Sequence, residues 1–464
     1  MLKQATTLLV IIITAGLVIS TQPNFGSPQN PTSINGIITK DARWTKTNSP
    51  YNLTGNVLIE TGVTVTVEAN AVVNLNGYYI RVNGSLNIQP GATINMGLRD
   101  YNAGYIQVNG IMTAKGTDTQ PIHLNGAEPY WDNCAPPTVS AIVFSEYSLA
   151  WNAQTGAGCI IENAIINKTD IQTSSSIKLN NNTINVSGIK IVKGAPLISN
   201  NILSNGISVT GGSPIIVNNQ LNGGYISLQD NHDLDWIDSP IITRNVISNP
   251  PQLLVTTSAI SLGYLAGSNG LILIENNLLT NSYYGIYFGQ NEDHARKPFK
   301  ILNSTITNNE IGIGIADEYS FVIANNNIYN NYMSVKLSSL ASSDVNVSNN
   351  WWGTTDTSSI DESIYDFSDD FNLGKINYTP FLTAPNEQAI PSPNMSSPTL
   401  NQFTPTSPTL PPQTPLQNQK STAMFSLSWD ETVLTATLSV TAAVLIVIAV
   451  LALKNQHKKL VNIR

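Results

Sequence analysis

The side chains best suited to bind a ligand or to titrate lie in three polar segments, each of which follows a short apolar run. The segments read QDNHDLDWIDSP, GQNEDHARKP and ADEYS, and they combine carboxylates, histidines and aromatic rings. Carboxylate oxygens are hard ligands suited to calcium, and aromatic rings offer apolar faces to a ligand. We therefore predict a binding site for a sugar, calcium or a protein partner that comprises Asp230, His232, Asp233, Asp235, Trp236, Asp238, Tyr264, Asp293, His294, Arg296, Asp317 and Tyr319.

This prediction depends on a repeat that brings the three segments to one edge of the fold. Short apolar runs alternate with asparagines at intervals of 18 to 32 residues, and the comparable positions are Asn163, Asn181, Asn200, Asn218, Arg244, Asn276, Asn303, Asn325 and Asn349. Such periods are typical of β-helices, whereas helical repeats need roughly 34 to 47 residues. Loops that leave one sheet of a solenoid share one edge. The alternative is that the segments are solvated insertions whose charges pair with one another.

Asparagine suits the corners between the sheets of a parallel β-helix. A corner needs a residue in the left-handed region of backbone space, which Asn tolerates better than any residue except Gly. Amide side chains stacked about 4.8 Å apart can also bond to one another as a ladder. We predict that the recurring asparagines form both the corners and the ladder. The apolar residues beside them should point into the core, namely Ile202, Leu221, Leu279, Ile306 and Ile328.

The outward positions of the strands argue against acid–base catalysis. If the runs GISV, YISL, AISL, GIYF and SVKL alternate as half-buried strands do, they place Ser208, Ser227, Ser261, Tyr287 and Lys336 outward. That row has almost no carboxylates, and no spacing forces a carboxylate pair of glycosidase type. We therefore predict no catalytic residues.

The folded domain is predicted to span residues 34–382 as an all-β parallel β-helix solenoid. Its last segment begins NNWWGTTD and breaks the repeat. Residues 359–367 are predicted as a short capping helix, with Trp351, Trp352 and Phe371 covering the last coil. Solenoids need such caps because an end coil exposes an unpaired sheet edge. The acidic residues of this segment lack the ligand spacing of an EF-hand, and an acidic residue near a helix N-terminus explains part of them.

Both termini have the composition of membrane-associated segments. Residues 1–20 are predicted to be a signal peptide, or alternatively an uncleaved anchor. Residues 384–420 are rich in Pro, Ser and Thr and are predicted to be a disordered stalk. Residues 432–453 contain no charged residue and are long enough for one transmembrane helix. The basic tail 454–464 favours the cytoplasmic side, so we expect a single-pass cell-membrane protein with its ectodomain outside the cell.

The remaining composition limits the partners of the chain. Its net charge is -8 and 11% of its residues are charged, so no basic footprint for nucleic acid is present. Cys134 and Cys159 are the two cysteines, and outside the cell they could form a disulfide or remain two buried thiols. Nine Asn-x-Ser/Thr sequons are present, and Asn394 in the stalk is the most accessible by sequence.

The asparagine repeat resembles that of the right-handed parallel β-helix repeat superfamily, which includes pectate-lyase-like folds and copper-associated periplasmic β-helix proteins. The matching residues are the NN-x-I corners, the coil GCIIENAIIN and the closing segment, which is similar to that of archaeal cell-surface β-helix proteins. The resemblance implies a right-handed solenoid over about residues 36–382. It does not assign chemistry, because this fold carries many functions.

Three function classes follow from these features. A surface-anchored structural or adhesive protein, with carbohydrate or surface-protein binding, is the favoured one. The first alternative is a membrane-tethered polysaccharide lyase or glycoside hydrolase. The second is an accessory protein that delivers metal in the envelope, although the Met, Cys and His that copper favours are few and scattered. No cofactor is predicted other than the calcium considered above.

Overall fold

The computed structural model describes residues 31–100, 102–128, 130–132, 135–230, 237–249, 257–263, 265, 270–289, 298–338 and 340–389, with the backbone alone for 130–132 and 135–138. No helix among these residues is long and apolar enough to cross a membrane. The predicted signal peptide, transmembrane segment and basic tail lie outside them, as does the predicted stalk beyond residue 389.

The chain winds into a three-sided solenoid whose sides are columns of short parallel strands. Sheet 1 contains Thr32–Ile38, Tyr51–Ile59, Tyr79–Val82, Tyr105–Val108, Ser140–Phe144, Thr169–Thr173, Ile189–Ile191, Ile207–Val209, Ile226–Leu228, Ser258–Leu262, Tyr284–Phe288, Ile311–Ile315, Met333–Leu337 and Ile364–Tyr365. Sheet 2 contains Val72–Asn74, Thr93–Asn95, Ile122–Asn125, Ala164–Asn167, Thr183–Asn185, Ile202–Leu203, Gln220–Asn222, Val246–Ser248, Leu278–Thr280, Thr305–Thr307 and Asn327–Tyr329. Sheet 3 contains Ala42–Trp44, Thr64–Val67, Ser85–Ile88, Ile111–Lys115, Ile160–Glu162, Lys178–Asn180, Leu197–Ser199, Ile215–Val217, Ile241–Thr243, Ile272–Glu275, Pro298–Leu302 and Ser320–Ala324.

A few short strands and helices lie outside the three columns. Leu98–Arg99 pairs with Asn102–Ala103, and Tyr130–Asp132 pairs with Ala135–Thr138, both antiparallel. Val345–Asn346 pairs in parallel with Ile376–Asn377 near the end of the solenoid. Within the described residues, the helical elements are the α-helix Thr357–Glu362 and the 3₁₀ turns Lys46–Asn48 and Glu387–Ala389.

The core is a stack of aliphatic side chains that face inward from all three sheets. In sheet 2 the inward column runs through Leu203, Leu221, Ile247, Leu279, Ile306 and Ile328, each paired in register with the next and fully buried. Four of the five predicted core positions are therefore confirmed. Ile202 was predicted wrongly: it is 46% exposed and pairs with the polar Gln220. Because side chains alternate along a strand, its neighbour Leu203 takes the inward position.

The predicted corners are confirmed at every position of the repeat. All nine residues of the set have a positive φ, between 48° and 61°, and Arg244 adopts the same conformation with a φ of 56°. Each lies directly after a sheet 3 strand and before a sheet 2 strand, or in the matching place beyond the last strand of sheet 3. The left-handed conformation at this bend therefore recurs in successive coils, as the backbone argument requires.

The prediction that the corner asparagines form the continuous amide ladder is wrong, although Asn181 does bond to the corner residue Asn163. The ladder consists of the residue after the corner, and its members are Asn182, Asn201, Asn219, Asn245, Asn277, Ser304, Asn326 and Asn350, all buried. Where two asparagines meet, the Nδ2 of one donates to the Oδ1 of the next at 2.9–3.1 Å. The same Oδ1 also accepts a backbone N–H from the previous coil. Different residues form the corner and the ladder because the left-handed residue points its side chain outward.

A second ladder, which the repeat analysis missed, runs along the sheet 2 side of the first half of the solenoid. Its members are Asn52, Asn74, Asn95, Asn125, Asn167 and Asn185, and each donates its amide to the preceding one at 2.8–3.1 Å. These residues are half-buried. Their sequence separations range from 18 to 42 residues, so the period is hidden by insertions.

The end of the solenoid is closed differently from the prediction. The helix is Thr357–Glu362 and ends before the predicted residue 367. Trp352 is buried, but Phe371 is 80% exposed and does not cover the last coil. The covering residues instead include Ile360, Ile364 and Leu373, which are buried in the core cluster.

A strap formed by residues 386–389 lies along the corner between sheets 3 and 2. Asn386 donates its side-chain amide to Asn303 Oδ1 and to the Asn325 carbonyl, and it exchanges backbone and side-chain bonds with Asn327. Ala389 is fully buried, and its carbonyl accepts a bond from Thr305. The predicted stalk boundary at residue 384 thus falls before residues that are packed on the solenoid.

Val186 occupies a corner conformation that its side chain disfavours. Its φ is 54° and its side chain is 65% exposed, so a β-branched residue stands in the left-handed region without compensating burial. We expect Val186→Asn to raise the free energy of unfolding by about 1 kcal/mol, because Asn relieves part of the left-handed penalty. Thermal or denaturant unfolding of the variant and the wild type measures this change in the free energy of unfolding. The matched control is Val322→Asn at an exposed position within Ser320–Ala324, which should be neutral or destabilising; the same sign for both variants would contradict the strain argument.

Candidate ligand-binding face

The outward face of sheet 1 presents one straight row of side chains along the solenoid. Register pairing aligns Lys190, Ser208, Ser227, Ser261, Tyr287, Gly314 and Lys336 in consecutive coils. The neighbours of each serine along the strand are buried aliphatic residues, so the hydroxyls point away from the core. The predicted outward row of serines, Tyr287 and Lys336 is therefore confirmed.

Three tyrosines form a cluster at one end of this row, here called the tyrosine cluster: Tyr283, Tyr284 and Tyr287. The ring centroids of Tyr284 and Tyr287 are 4.6 Å apart, and those of Tyr283 and Tyr284 are 4.8 Å apart at an interplanar angle of 76°. The next coil carries Gly314 beneath them. A Cβ at Gly314 would lie 2.6 Å from Tyr284 Cε1 and 3.2 Å from Tyr287 Cδ2, so a side chain there would displace the rings.

Tyr225 forms a second aromatic surface on the same face. Its ring covers Gly206 of the preceding coil, where a Cβ would lie 2.7–2.8 Å from three ring atoms. The side chain of Tyr225 is 42% exposed, and that of Tyr283 is 39% exposed. Tyr225 leans toward the start of the solenoid and the tyrosine cluster toward its end. Gly206 and Gly314 are four coils apart, or about 19 Å at the usual strand spacing.

Hydroxyl groups fill the interval between the two aromatic surfaces. Ser227 and Ser261 belong to the coils between them, and Ser258 is aligned with Tyr284. The charged members of the row, Lys190 and Lys336, lie beyond the two surfaces. The Lys336 ammonium is 5.4 Å from the centroid of the Tyr365 ring. Between Lys190 and Lys336 the row is therefore uncharged and carries serine hydroxyls and an aromatic ring. The exposed Glu310, which directly precedes the strand Ile311–Ile315, lies next to Tyr283.

Asp170 is the one carboxylate in the strands of sheet 1 among the residues that the structure describes. Its Oδ1 accepts a bond from the Gly188 N–H at 2.8 Å. Burial raises its pKa, and that hydrogen bond offsets part of the rise. The carboxylate thus holds the backbone of the next coil, and these strands provide no second carboxylate to act with it as an acid–base pair.

The structure describes four of the twelve residues of the predicted loop site. His232, Asp233, Asp235, Trp236, Tyr264, Asp293, His294 and Arg296 lie outside the described residues. Asp230, Asp238, Asp317 and Tyr319 are described, and all four lie in connections from sheet 1 to sheet 3. Backbone hydrogen bonds keep the first residues of these connections stacked on one another. They run from Gly263 N to Leu228 O, from Gly289 N to Leu262 O and from Ala316 N to Phe288 O.

The described members of the loop site have identifiable structural contacts. Asp230 is buried, and its Oδ1 accepts the Ile237 N–H at 2.7 Å, which ties the two ends of its loop together. Tyr319 packs its ring 5.1 Å from that of Phe288 and donates its hydroxyl to the Gly289 carbonyl. Burial, followed by the charge of Asp317, raises the pKa of Tyr319 well above its usual value. Whether the loops bind a ligand stays a prediction.

A cleft of about 310 Å³ lies beside Asp317. Its other acidic lining residues are Glu318 and Asp344, which already accept bonds from Ser343 Oγ and from the Lys375 backbone N–H respectively. Among the described residues there is no group of three or more His, Cys, Asp or Glu side chains that could hold a metal ion. The calcium prediction for the loops also involves Asp233, Asp235 and Asp293, which lie outside that part of the chain.

The acidic run near the C-terminal cap is largely used in local hydrogen bonds. Asp356 is the N-cap of the helix and accepts from Ser359, and the buried Asp366 accepts from the N–H groups of Ser368 and Ile376. Asp361 accepts from the Tyr378 hydroxyl. The Asp356 contact agrees with the helix-capping explanation of part of the run.

Cys159 is a buried free thiol in the structure, and Cys134 lies outside the described residues, so the disulfide stays a prediction. The Met112 N–H donates to the Cys159 sulfur at 3.4 Å. Burial raises the pKa of the thiol to about 11. A thiol that stays protonated and enclosed is a poor nucleophile.

Two comparisons with known proteins give a match. A family model described as a right handed beta helix region matches residues 226–361. A solved structure of a mutant of the periplasmic alginate epimerase AlgG is similar over 70% of this chain and 82% of that chain, with 12% identity and a TM-score of 0.38. No curated protein matches the sequence. The chain folds as a parallel β-helix, as its three columns of parallel strands show.

The aromatic surfaces were missed by sequence reasoning, apart from Tyr287. Tyr225, Tyr283 and Tyr284 all stand directly at the start of sheet 1 strands. The available signal was the recurrence of Tyr before an inward isoleucine, as in GYISL and YYGIYF. It was not decisive, because the glycines that make room for the rings belong to other coils.

Proposed function

We propose that the outward face of sheet 1 binds an uncharged carbohydrate chain, and that the protein is a surface-anchored structural or adhesive protein. The observation that carries the proposal is the pair of exposed aromatic surfaces, Tyr225 over Gly206 and the tyrosine cluster over Gly314, with serine hydroxyls between them. Sugar rings have apolar faces that pack on aromatic rings, and their hydroxyls exchange hydrogen bonds with serines.

The rigidity of the face supports this proposal. Tyr287 and the serines project from sheet 1 strands whose inward residues are fully buried, and Tyr225 directly precedes the buried Ile226, so their backbone is fixed before a ligand arrives. Little conformational entropy is then lost on binding. The spacing of about 19 Å between the two aromatic surfaces suits a ligand of several linked rings. A single small molecule would reach only one of them.

The charge of the face favours binding without bond cleavage. The middle of the row is uncharged, and Asp170 is held by the backbone of the next coil. Bond cleavage by a lyase or hydrolase needs titratable groups that converge on the substrate. The signal peptide, stalk and membrane anchor expected from the sequence would place this face outside the cell.

The proposal is tested by incubating the purified full chain with a panel of neutral and acidic polysaccharides, with and without a calcium chelator. We expect retention of neutral chains that is unaffected by the chelator and changes little with salt, because packing on aromatic rings is not screened. Chain length, measured on the same samples, should not fall. Absence of binding would refute the proposal, shortened chains would establish the enzyme alternative, and chelator-sensitive binding would assign the ligand to the acidic loops instead.

A further inference from the structure

The nine sequons of the chain differ in whether their amide nitrogen is available for modification. In three of them the Nδ2 is already a donor: Asn167 bonds to Asn125 Oδ1, Asn181 bonds to Asn163 Oδ1, and Asn185 bonds to Asn167 Oδ1. N-linked glycosylation replaces a hydrogen on this nitrogen by a bulky sugar. A glycan on Asn167 or Asn185 would break the second ladder of the sheet 2 side.

Three more sequon asparagines are only half-exposed because neighbouring coils or the strap cover them. Asn52, Asn83 and Asn303 accept bonds through Oδ1 from Asn74, Asn109 and Asn386. Asn303 is additionally covered by the strap of residues 386–389. These positions leave little room for a sugar next to the amide nitrogen, and Asn394 lies outside the described residues.

Asn346 and Asn377 are the two remaining sequon asparagines, and both are exposed. Neither Nδ2 donates a hydrogen bond within the described part of the chain. The two residues are register partners in the short parallel pair Val345–Asn346 and Ile376–Asn377. Their backbones are thus about 4.8 Å apart, so a glycan on one would crowd the other.

Asn346 has a further feature that its partner lacks. Its Oδ1 accepts the backbone N–H of Ser348, the third residue of its own sequon, at 2.9 Å. This Asx-turn holds the side-chain oxygen against the chain, whereas the nitrogen of this exposed residue is not used in the turn. Asn346 also lines the cleft of about 310 Å³ beside Asp344, so open space lies next to it.

We propose that Asn346 is the N-glycosylation site of the folded domain. The donor is an oligosaccharide linked to a polyprenyl phosphate or pyrophosphate outside the cell. The Asn346 nitrogen bonds to the anomeric carbon and loses one proton, the carbon–oxygen bond to the phosphate breaks, and the lipid-linked phosphate leaves with that electron pair. The inference does not depend on carbohydrate binding by sheet 1.

Glycopeptide mass spectrometry on the full chain, purified from its native source, tests the proposal. We expect a glycan mass on the peptide that contains Asn346 and none on peptides that contain Asn167, Asn181 or Asn185. Ser348→Ala should abolish the modification while the backbone N–H of the turn is kept, and Ser348→Thr should retain it. Asn377→Gln is the matched control and should leave the glycan on Asn346.

Three results on the wild-type chain would overturn the proposal. They are an unmodified Asn346 in the wild-type chain, a glycan on Asn377 with Asn346 empty, or a glycan on Asn167 or Asn185. Ser348→Ala could lose its glycan because the sequon is destroyed or because the domain misfolds. Circular dichroism separates the two cases, because a folded variant should keep the β-sheet signal of the wild type. If Ser348→Ala keeps both its fold and its glycan, the assignment to Asn346 fails.

Discussion

Asn219→Ala is expected to lower the free energy of unfolding by about 4 kcal/mol. The Asn219 Oδ1 accepts from the backbone N–H and Nδ2 of Asn201, and its Nδ2 donates to the Ile198 carbonyl and to Asn245 Oδ1, all at 2.9–3.0 Å. Asn201 and Asn245 are buried, so alanine leaves several polar groups without this partner and away from water. Each such group costs about 1–3 kcal/mol.

The neighbouring corner residue provides the matched control. Asn218 has a φ of 57°, and glycine adopts that conformation without strain, so Asn218→Gly should change stability by less than about 1 kcal/mol. Asn219→Ser should fall between the two, because Ser304 already occupies a ladder position and accepts the Asn277 N–H at 3.2 Å. An equal loss in Asn218→Gly and Asn219→Ala would contradict the separation of corner and ladder.

Hydrogen exchange is the preferred measurement of this effect. A solenoid can open coil by coil, so a single global unfolding energy is not guaranteed. The amide protons of the coils on either side of Asn219 should lose protection first in Asn219→Ala. Protection in the first coils, around Tyr79–Val82, should change less. Uniform loss along the whole chain would show that the ladder acts globally.

Replacement of the aromatic surfaces is expected to have the largest effect on ligand affinity. Tyr225→Ala or Tyr287→Ala should each weaken binding of a neutral polysaccharide about fivefold, and the double variant about 30-fold, if each ring contributes about 1 kcal/mol. Tyr287 is outward on sheet 1, and Tyr225 directly precedes a sheet 1 strand with its side chain 42% exposed, so their removal should cost little stability. Isothermal titration or surface plasmon resonance with the best polysaccharide of the panel measures the change.

The control for this experiment is Tyr147→Ala, which removes an exposed tyrosine that lies outside the strands of sheet 1. Affinity should stay at the wild-type value in this variant. Gly314→Val should mimic the loss of Tyr287, because its side chain would push the rings of Tyr284 and Tyr287 out of place. Unchanged affinity in the double variant, with intact fold, would eliminate this face as the binding site.

The carbohydrate proposal and the glycosylation proposal fail independently. The binding face is formed by sheet 1 strands such as Ile226–Leu228 and Tyr284–Phe288, whereas Asn346 lies in the short strand Val345–Asn346 outside the three columns. Ser348→Ala should therefore leave polysaccharide affinity unchanged. Tyr225→Ala should likewise leave the modification of Asn346 unchanged.

The local properties of the chain were readable from its sequence. The left-handed corners were predicted at all nine positions, including Arg244, because a bend conformation depends on one residue and its place in the repeat. The alternation of strands predicted the outward row of Ser208, Ser227 and Ser261, since side chains of a strand point to opposite faces.

The predictions were wrong where the role of a residue depends on the coils stacked above and below it. Ile202 was placed inward, although the inward column passes through Leu203. The ladder was assigned to the corner asparagine, although the buried neighbour forms it. Coils of unequal length hide the register, so a shift of one residue cannot be seen along the chain but exchanges the inner and outer faces.

The sequence by itself determined a β-helix with asparagine corners and an uncharged outward row, because these follow from the conformational freedom of Asn and from strand alternation. Only the tertiary structure decided which rings cover Gly206 and Gly314, which asparagines donate their amides, and that residues 386–389 return to the solenoid. Each of these depends on contacts between coils or between segments distant in the chain. Such contacts arise from the stacking register, which no single stretch of residues encodes.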